Sequence, residues 1–137
     1  MNKIAVVFWS GTGNTEAMAA AVAEGAGPGA ELIPAAAFDP AALANYDAFA
    51  FGCPSMGAEQ LEESEFEPMF AACEAGLAGR RVGLFGSYGW GDGEWMRSWE
   101  ERCAAAGIAL AAPSVICCEA PDGDALAACR ALGAALA

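Results

Sequence analysis

Ser10, Gly11, Thr12, Gly13, Asn14 and Thr15 place three hydroxyls, one amide and two glycines in six consecutive positions. An apolar run, Ile4–Phe8, precedes them, and a helix-compatible run, Glu16 to Glu24, follows. Strand, tight polar loop and helix N-terminus together make a site for a phosphate, because backbone N–H groups and the helix dipole converge on one point. The loop has no Lys or Arg, so it suits a phosphate that is held and not transferred. A triphosphate-hydrolysing loop, G-x-x-x-x-G-K-[ST], needs its Lys to reach the outer phosphates. A dinucleotide fingerprint can be started at Gly11 and Gly13, but Glu16 stands where its third glycine belongs.

Two further segments carry chemistry of the same kind. One is Gly52-Cys53-Pro54-Ser55-Met56-Gly57-Ala58-Glu59, followed by Leu61-Glu62-Glu63-Ser64-Glu65-Phe66-Glu67-Pro68. The other is Leu84-Phe85-Gly86-Ser87-Tyr88-Gly89-Trp90-Gly91-Asp92-Gly93-Glu94-Trp95-Met96. With Trp9–Glu16 they resemble, in order and spacing, the three flavin-mononucleotide (FMN) loops of short-chain flavodoxins of the clostridial type. The resemblance covers essentially the whole chain.

That resemblance implies noncovalently bound FMN that carries single electrons at low potential. Ser10, Gly11, Thr12, Gly13, Asn14 and Thr15 would hold its phosphate. Pro54, Ser55, Met56, Gly57, Ala58 and Glu59 would form the second loop, with Met56 on the inner flavin face and Glu59 at the N3 edge. Ser87, Tyr88, Gly89, Trp90, Gly91 and Asp92 would form the third, with Trp90 against the outer face. The peptide after Gly57 would turn over on reduction and offer its carbonyl to the protonated N5 of the semiquinone. Ala58 departs from the polar or very small residue usual in relatives, and Glu119 stands where relatives often carry Asn. Glu59, Glu62, Glu63, Asp92 and Glu119 would disfavour an anionic hydroquinone. Two charges ~10 Å apart at an effective dielectric of ~20 interact by about 1.7 kcal/mol, and ~59 mV in a one-electron couple is a tenfold change in its equilibrium constant.

Composition sets the frame. A chain of 137 residues, 56% of them apolar, is one domain with one core. Six basic and eighteen acidic residues give a net charge of −12, which repels nucleic acid and anionic membranes. The implied partners are redox proteins, reductases and oxidoreductases, with basic docking surfaces; the chain itself is expected to be a monomer. No C-x-x-C pair and no His occur, so no metal site is expected. The six cysteines read as small core residues, and Cys117-Cys118 would point to opposite faces of a strand. Unpaired thiols, and an N-terminal apolar run too short for a signal peptide, point to the cytoplasm. No segment reaches transmembrane length.

The elements that must position these loops follow from the hydrophobic pattern. Short apolar runs predict strands over Ile4–Phe8, Glu31–Ala35, Ala48–Cys53, Arg81–Phe85 and Ile108–Cys118. Helix starts are predicted at Asp39-Pro40, at a capping box Ser64-x-x-Glu67, at Asp92 and at Asp122. Trp95, Trp99, Cys103 and Ala106 share a helical face, as do Leu126, Cys129 and Leu136. Five β–α units imply an α/β three-layer sandwich around a parallel sheet. Resemblance to flavodoxins adds the strand order 2-1-3-4-5 over residues 1–137. Ligands of such sheets sit beyond the carboxyl ends of the strands, where the strand order reverses. All three loops follow such strands.

The expected role is an electron carrier, not an enzyme with its own substrate and catalytic residues. The alternative is a small flavodoxin-like FMN reductase acting on quinones, which would need a substrate pocket over the flavin. A phosphate-responsive regulator on the same fold would need acidic residues after the first strand and an Asp after the third, where Trp9-Ser10 and Cys53-Pro54 stand. A cofactor-free scaffold is the remaining reading, and a visible spectrum separates it from the first.

Overall fold

A computed structural model describes residues 2–137. Five parallel strands form one sheet: β1 (Ile4–Phe8), β2 (Ala30–Pro34), β3 (Ala48–Gly52), β4 (Arg81–Tyr88) and β5 (Val115–Cys118), in the order β2-β1-β3-β4-β5. The predicted order is therefore present. β1 pairs with both β2 and β3, with Phe8 opposite Pro34 on one side and Gly52 on the other. Four α-helices complete the fold: α1 (Asn14–Ala26), α2 (Phe66–Leu77), α3 (Glu94–Ala105) and α4 (Gly123–Leu136).

Strand alternation divides the core in two. Ile4 and Val6 of β1 join Ala48, Ala50, Met18, Val22, Leu132 and Leu136 in one cluster, under α1 and α4. Ala5 and Val7 join Phe49, Phe51, Phe66, Phe70, Trp95, Trp99 and Cys103 in the other, under α2 and α3. Both faces of the central strands β1, β3 and β4 are thus dry, while the edge strands β2 and β5 keep contact with solvent. The α1–α4 crossing is a backbone contact. A Cβ at Gly25 would lie 1.9 Å from the Arg130 carbonyl oxygen, and one at Gly133 would lie 2.0 Å from that of Val22.

The structure corrects the sequence reading at five places. β4 runs three residues further than predicted, so Ser87 and Tyr88 lie in the strand. The fifth strand is only Val115–Cys118, because Pro113 has no N–H for a ladder; upstream, Leu110 makes an isolated bridge to Val82. Asp39-Pro40 opens a 3-10 turn over Pro40–Asn45, with the Asp39 carboxylate accepting from Ala41 N–H at 2.9 Å. No α-helix therefore joins β2 to β3, and four of the five predicted β–α units are present. Asp92 does not cap α3: Gly93, at φ 91°, occupies that position, and Asp92 pairs with Arg97 instead. Asp122 does cap α4, accepting from Ala125 N–H at 2.8 Å.

The fifth correction concerns α2. Ser64 is not its cap. The buried carboxylate of Glu62 accepts from Ser64, Glu65 and Phe66 N–H at 2.8–2.9 Å, and from the Ser64 hydroxyl. Burial pushes the Glu62 pKa up, but these hydrogen bonds outweigh it and hold the group at about 2.

Two stability measurements follow. Gly133→Ala should lose about 1–3 kcal/mol in urea unfolding, since the clash with Val22 exceeds the usual helix-propensity gain from Ala of about 1 kcal/mol. A neutral or stabilised variant would show that the helices can move apart at no cost. Glu62→Gln should cost about 3 kcal/mol at neutral pH, the equivalent of a carboxylate lowered from 4.5 to about 2. A depressed carboxylate stabilises fully above its unfolded pKa. The difference between parent and variant should therefore shrink from about pH 4.5 downward and vanish near pH 2.

Candidate functional site

The loops after β1, β3, β4 and β5 meet at the carboxyl edge of the sheet, across the β1/β3 boundary where the strand order reverses. They enclose a cleft of about 580 Å³, within the range of small-molecule sites, about 300–1,000 Å³. Of the residues singled out in the sequence, Gly11, Thr12, Asn14, Pro54, Ser55, Met56, Ser87, Tyr88 and Gly89 line it.

The first loop is shaped from within. Ser10 Oγ accepts from the N–H groups of Gly13 (3.0 Å) and Glu16 (3.3 Å). Gly13, at φ 96°, caps α1, a backbone conformation that excludes most side chains. The first N–H groups of a helix have no intrahelical partner. Ser10 satisfies that of Glu16 and leaves those of Asn14 and Thr15 at the loop. The Thr15 side chain is buried, and its hydroxyl lies 3.4 Å from that of Ser87, tying the first loop to β4.

The second loop is a tight hairpin. Met56 and Gln60 exchange both backbone hydrogen bonds, at 2.8 and 2.9 Å, around Gly57, Ala58 and Glu59. Gly57 stands at φ 52° and Glu59 at φ 54°. Upstream, Ser55 N–H donates to Ser87 carbonyl at 3.0 Å, so this loop extends the β3–β4 pairing past the strand end. The Ser55 hydroxyl is buried on the cleft wall and has no hydrogen-bond partner among the described residues. A buried polar atom without a partner is costly, and a polar ligand in the cleft would satisfy it.

Gly57, Ala58 and Glu59 do not line the main cleft. The Glu59 carboxylate accepts from Glu94 N–H at 3.2 Å and so faces the start of α3. A Cβ at Gly91 would lie 2.5 Å from that carboxylate. Gly91, at φ 85°, takes a left-handed conformation beside that carboxylate where the second and third loops touch. Carboxylate oxygens of Glu59, Asp92 and Glu94 lie within 4.8 Å of one another, and the Arg97 guanidinium holds the Asp92 carboxyl below its ordinary value. Trp90 is 61% exposed beside the cleft and does not line it; Ser10, Gly13, Thr15, Gly91 and Asp92 also lie outside its lining.

Trp9, Glu119 and Ala120 also line the cleft; none is among the cofactor-binding candidates, although the sequence singles out Glu119 for its charge and Trp9 opens the first motif. Trp9 directly precedes the first loop. Its ring covers Gly11, where a Cβ would meet it at 3.1 Å, and its Nε1 donates to Glu65 at 2.8 Å. Glu119 and Ala120 follow β5 at the same sheet edge, and that position was the available signal. Glu119 sits at φ 60°, fixed by its N–H donating to Tyr88 carbonyl at 2.7 Å.

Comparison with known proteins agrees with this geometry. The family profile described as Flavodoxin matches residues 6–133. This chain belongs to the flavodoxin family. It is 42% identical over 137 residues to the flavodoxin of Megasphaera elsdenii, covering 98% of each chain, and 44% identical over 120 residues to that of Clostridium beijerinckii, covering 85% and 87%. The solution structure of two-electron reduced Megasphaera elsdenii flavodoxin superposes with a TM-score of 0.87 at 41% identity, over 97% of both chains. Membership makes this an electron-transfer protein with an FMN cofactor, and it does not favour the quinone-reductase alternative. No helix among the described residues is long and apolar enough to cross a membrane.

The backbone at Glu119 offers a test of local strain. A non-glycine residue in the left-handed region is disfavoured, and Asn tolerates it better than Glu. Glu119→Asn should raise the stability of the cofactor-free flavodoxin by roughly 0.5–1 kcal/mol in urea unfolding. No gain would mean that the loop relaxes without strain.

Proposed function

We propose that the cleft holds one FMN noncovalently and that the chain passes single electrons at low potential between redox enzymes. The observation that carries this reading is the cleft itself. Three loops of flavin-binding type meet around it, with an unsatisfied Ser55 hydroxyl on its wall.

FMN supplies the one-electron chemistry; the chain supplies binding, orientation and electrostatics. Its phosphate would rest at the first turn of α1, on the free N–H groups of Asn14 and Thr15 and the hydroxyl of Thr12. Ser10 Oγ accepts two amide hydrogens and keeps its own proton to donate. Thr15 would contribute through its backbone, since its side chain is committed below the loop. Met56 and Tyr88, which line the cleft, would form walls for the ring, and the exposed Trp90 would lie over its outer face. Gly57, already at positive φ, would carry the peptide that turns toward the reactive edge.

No Lys or Arg stands in the phosphate loop, so the phosphate charge is left unneutralised there. Together with Glu119 on the cleft wall, it would oppose a second negative charge on the ring and keep the lower potential low. A chain of net charge −12 would dock on basic surfaces of its partners, as a monomer. Its six thiols form no disulfide, which suits a reducing cytoplasm.

The test is a flavin titration of the cofactor-free protein, followed by spectroelectrochemistry. One equivalent of FMN should bind and turn the protein yellow, FAD should bind far more weakly, and reduction should proceed in two resolved one-electron steps. Absence of FMN binding, or sustained quinone turnover with NADH as reductant, would overturn the proposal.

A further inference from the structure

We propose that Cys53 is a positioning residue: its side chain clasps the far end of the second loop to its beginning and confines backbone rearrangement to Gly57–Glu59. The coupling to the flavin rests on the FMN reading above; the clasp does not.

Cys53 is fully buried just beyond β3. Its N–H donates to the Phe85 carbonyl at 3.1 Å, and its carbonyl accepts from Trp95 Nε1 at 3.1 Å. The residue is therefore pinned to β4 on one side and α3 on the other. Its Sγ accepts from Glu62 N–H at 3.3 Å, nine residues on, and donates to the Pro54 carbonyl at 3.5 Å. Burial pushes the Cys53 thiol up to about 12, so it keeps the proton that this donation needs. Glu62 is fixed in turn, because its carboxylate caps α2 and its carbonyl accepts from Glu67 N–H at 2.8 Å.

The loop is thus closed twice. The outer closure is Cys53 to Glu62, and the inner one is the reciprocal Met56–Gln60 pair. Between the closures, Ser55 is tied to Ser87 and Leu61 is buried. Only Gly57, Ala58 and Glu59 lie inside the inner pair, and a Cβ at Gly57 would meet nothing tighter than an ordinary 3.8 Å contact with Gln60 Nε2. A peptide at Gly57 can turn without the rest of the loop following. Without the outer closure, the same turn would be diluted among looser loop conformations, and its ordering entropy would count against it.

Cys53→Ala removes the sulfur acceptor. Cys53→Val fills the site but cannot accept, so it serves if the Ala variant does not fold. Cys53→Ser keeps an acceptor. In cofactor-free protein, Glu62 amide hydrogen exchange should accelerate in Ala and Val and stay near parental in Ser. In FMN-loaded protein, the gap between the two one-electron potentials should narrow in Ala and Val by the equivalent of about three- to tenfold in equilibrium constant, up to ~59 mV, and Ser should recover most of it. Unchanged Glu62 exchange in Ala and Val would show that there is no clasp. Faster exchange with unaltered potentials would overturn the positioning role. A parent protein that binds no FMN would sink the functional reading, and with it the flavin coupling, while the exchange arm still judges the clasp.

Discussion

The carboxyl ends of β3 and β4 can lie side by side only because two residues lack side chains. A Cβ at Gly86 would stand 2.2 Å from the Cys53 carbonyl oxygen, and one at Gly52 would stand 2.1 Å from the Phe85 ring. With both glycines in place, strand pairing runs on past the named strands, through Cys53 to Phe85 and Ser55 to Ser87. The second and third loops therefore leave the sheet as neighbours. The hydroxyl contact between Thr15 and Ser87 then brings the first loop to the same point. Every wall of the cleft refers back to that close approach.

Much of this was legible in the sequence, for identifiable reasons. β1 and β3 are unbroken apolar runs buried on both faces, a pattern with few competing interpretations. The glycine-rich loops lie where such strands end. The parts that were not legible depend on which of several neighbouring polar groups takes a role, or on contacts distant in sequence. Nothing local marks Glu62 as the cap of α2, since Ser64 and Glu67 have the right spacing for a capping box and Glu62 acts from outside the helix. Glu59 is likewise drawn to the start of α3 by a neighbour thirty-five residues on. Conversely, Pro113 was visible in the sequence, and its missing N–H accounts for the shortened β5.

Charge and packing are distributed differently. The sheet and its two clusters are apolar, and most carboxylates lie on the surface. Among the described residues three arginines make four ion pairs with carboxylates, a small share of the eighteen acidic residues. The Arg102 guanidinium, held by Glu67 and Glu74 and stacked over Phe70, bridges α3 to α2. The acidic rim formed by Glu59, Asp92 and Glu94 has one exposed partner, Arg97, on Asp92. The negative field of that rim is one that salt will screen.

The glycine contact between α1 and α4 also bears on the order in which the molecule is completed. α1 begins at the phosphate-type loop and is synthesised well before α4, yet Val22 and Ala26 meet their partner only when Gly133 arrives. Glu119 and Ala120, which close the cleft, precede that helix by a few residues. On the ribosome, the nascent chain carries the first loop with one face of α1 uncovered until α4 is made. The packing of α1 is thus complete only once α4 docks. A chain that stalls before α4 would expose the apolar side of β1 and β3 to water and to chaperones, with all three motif loops already translated.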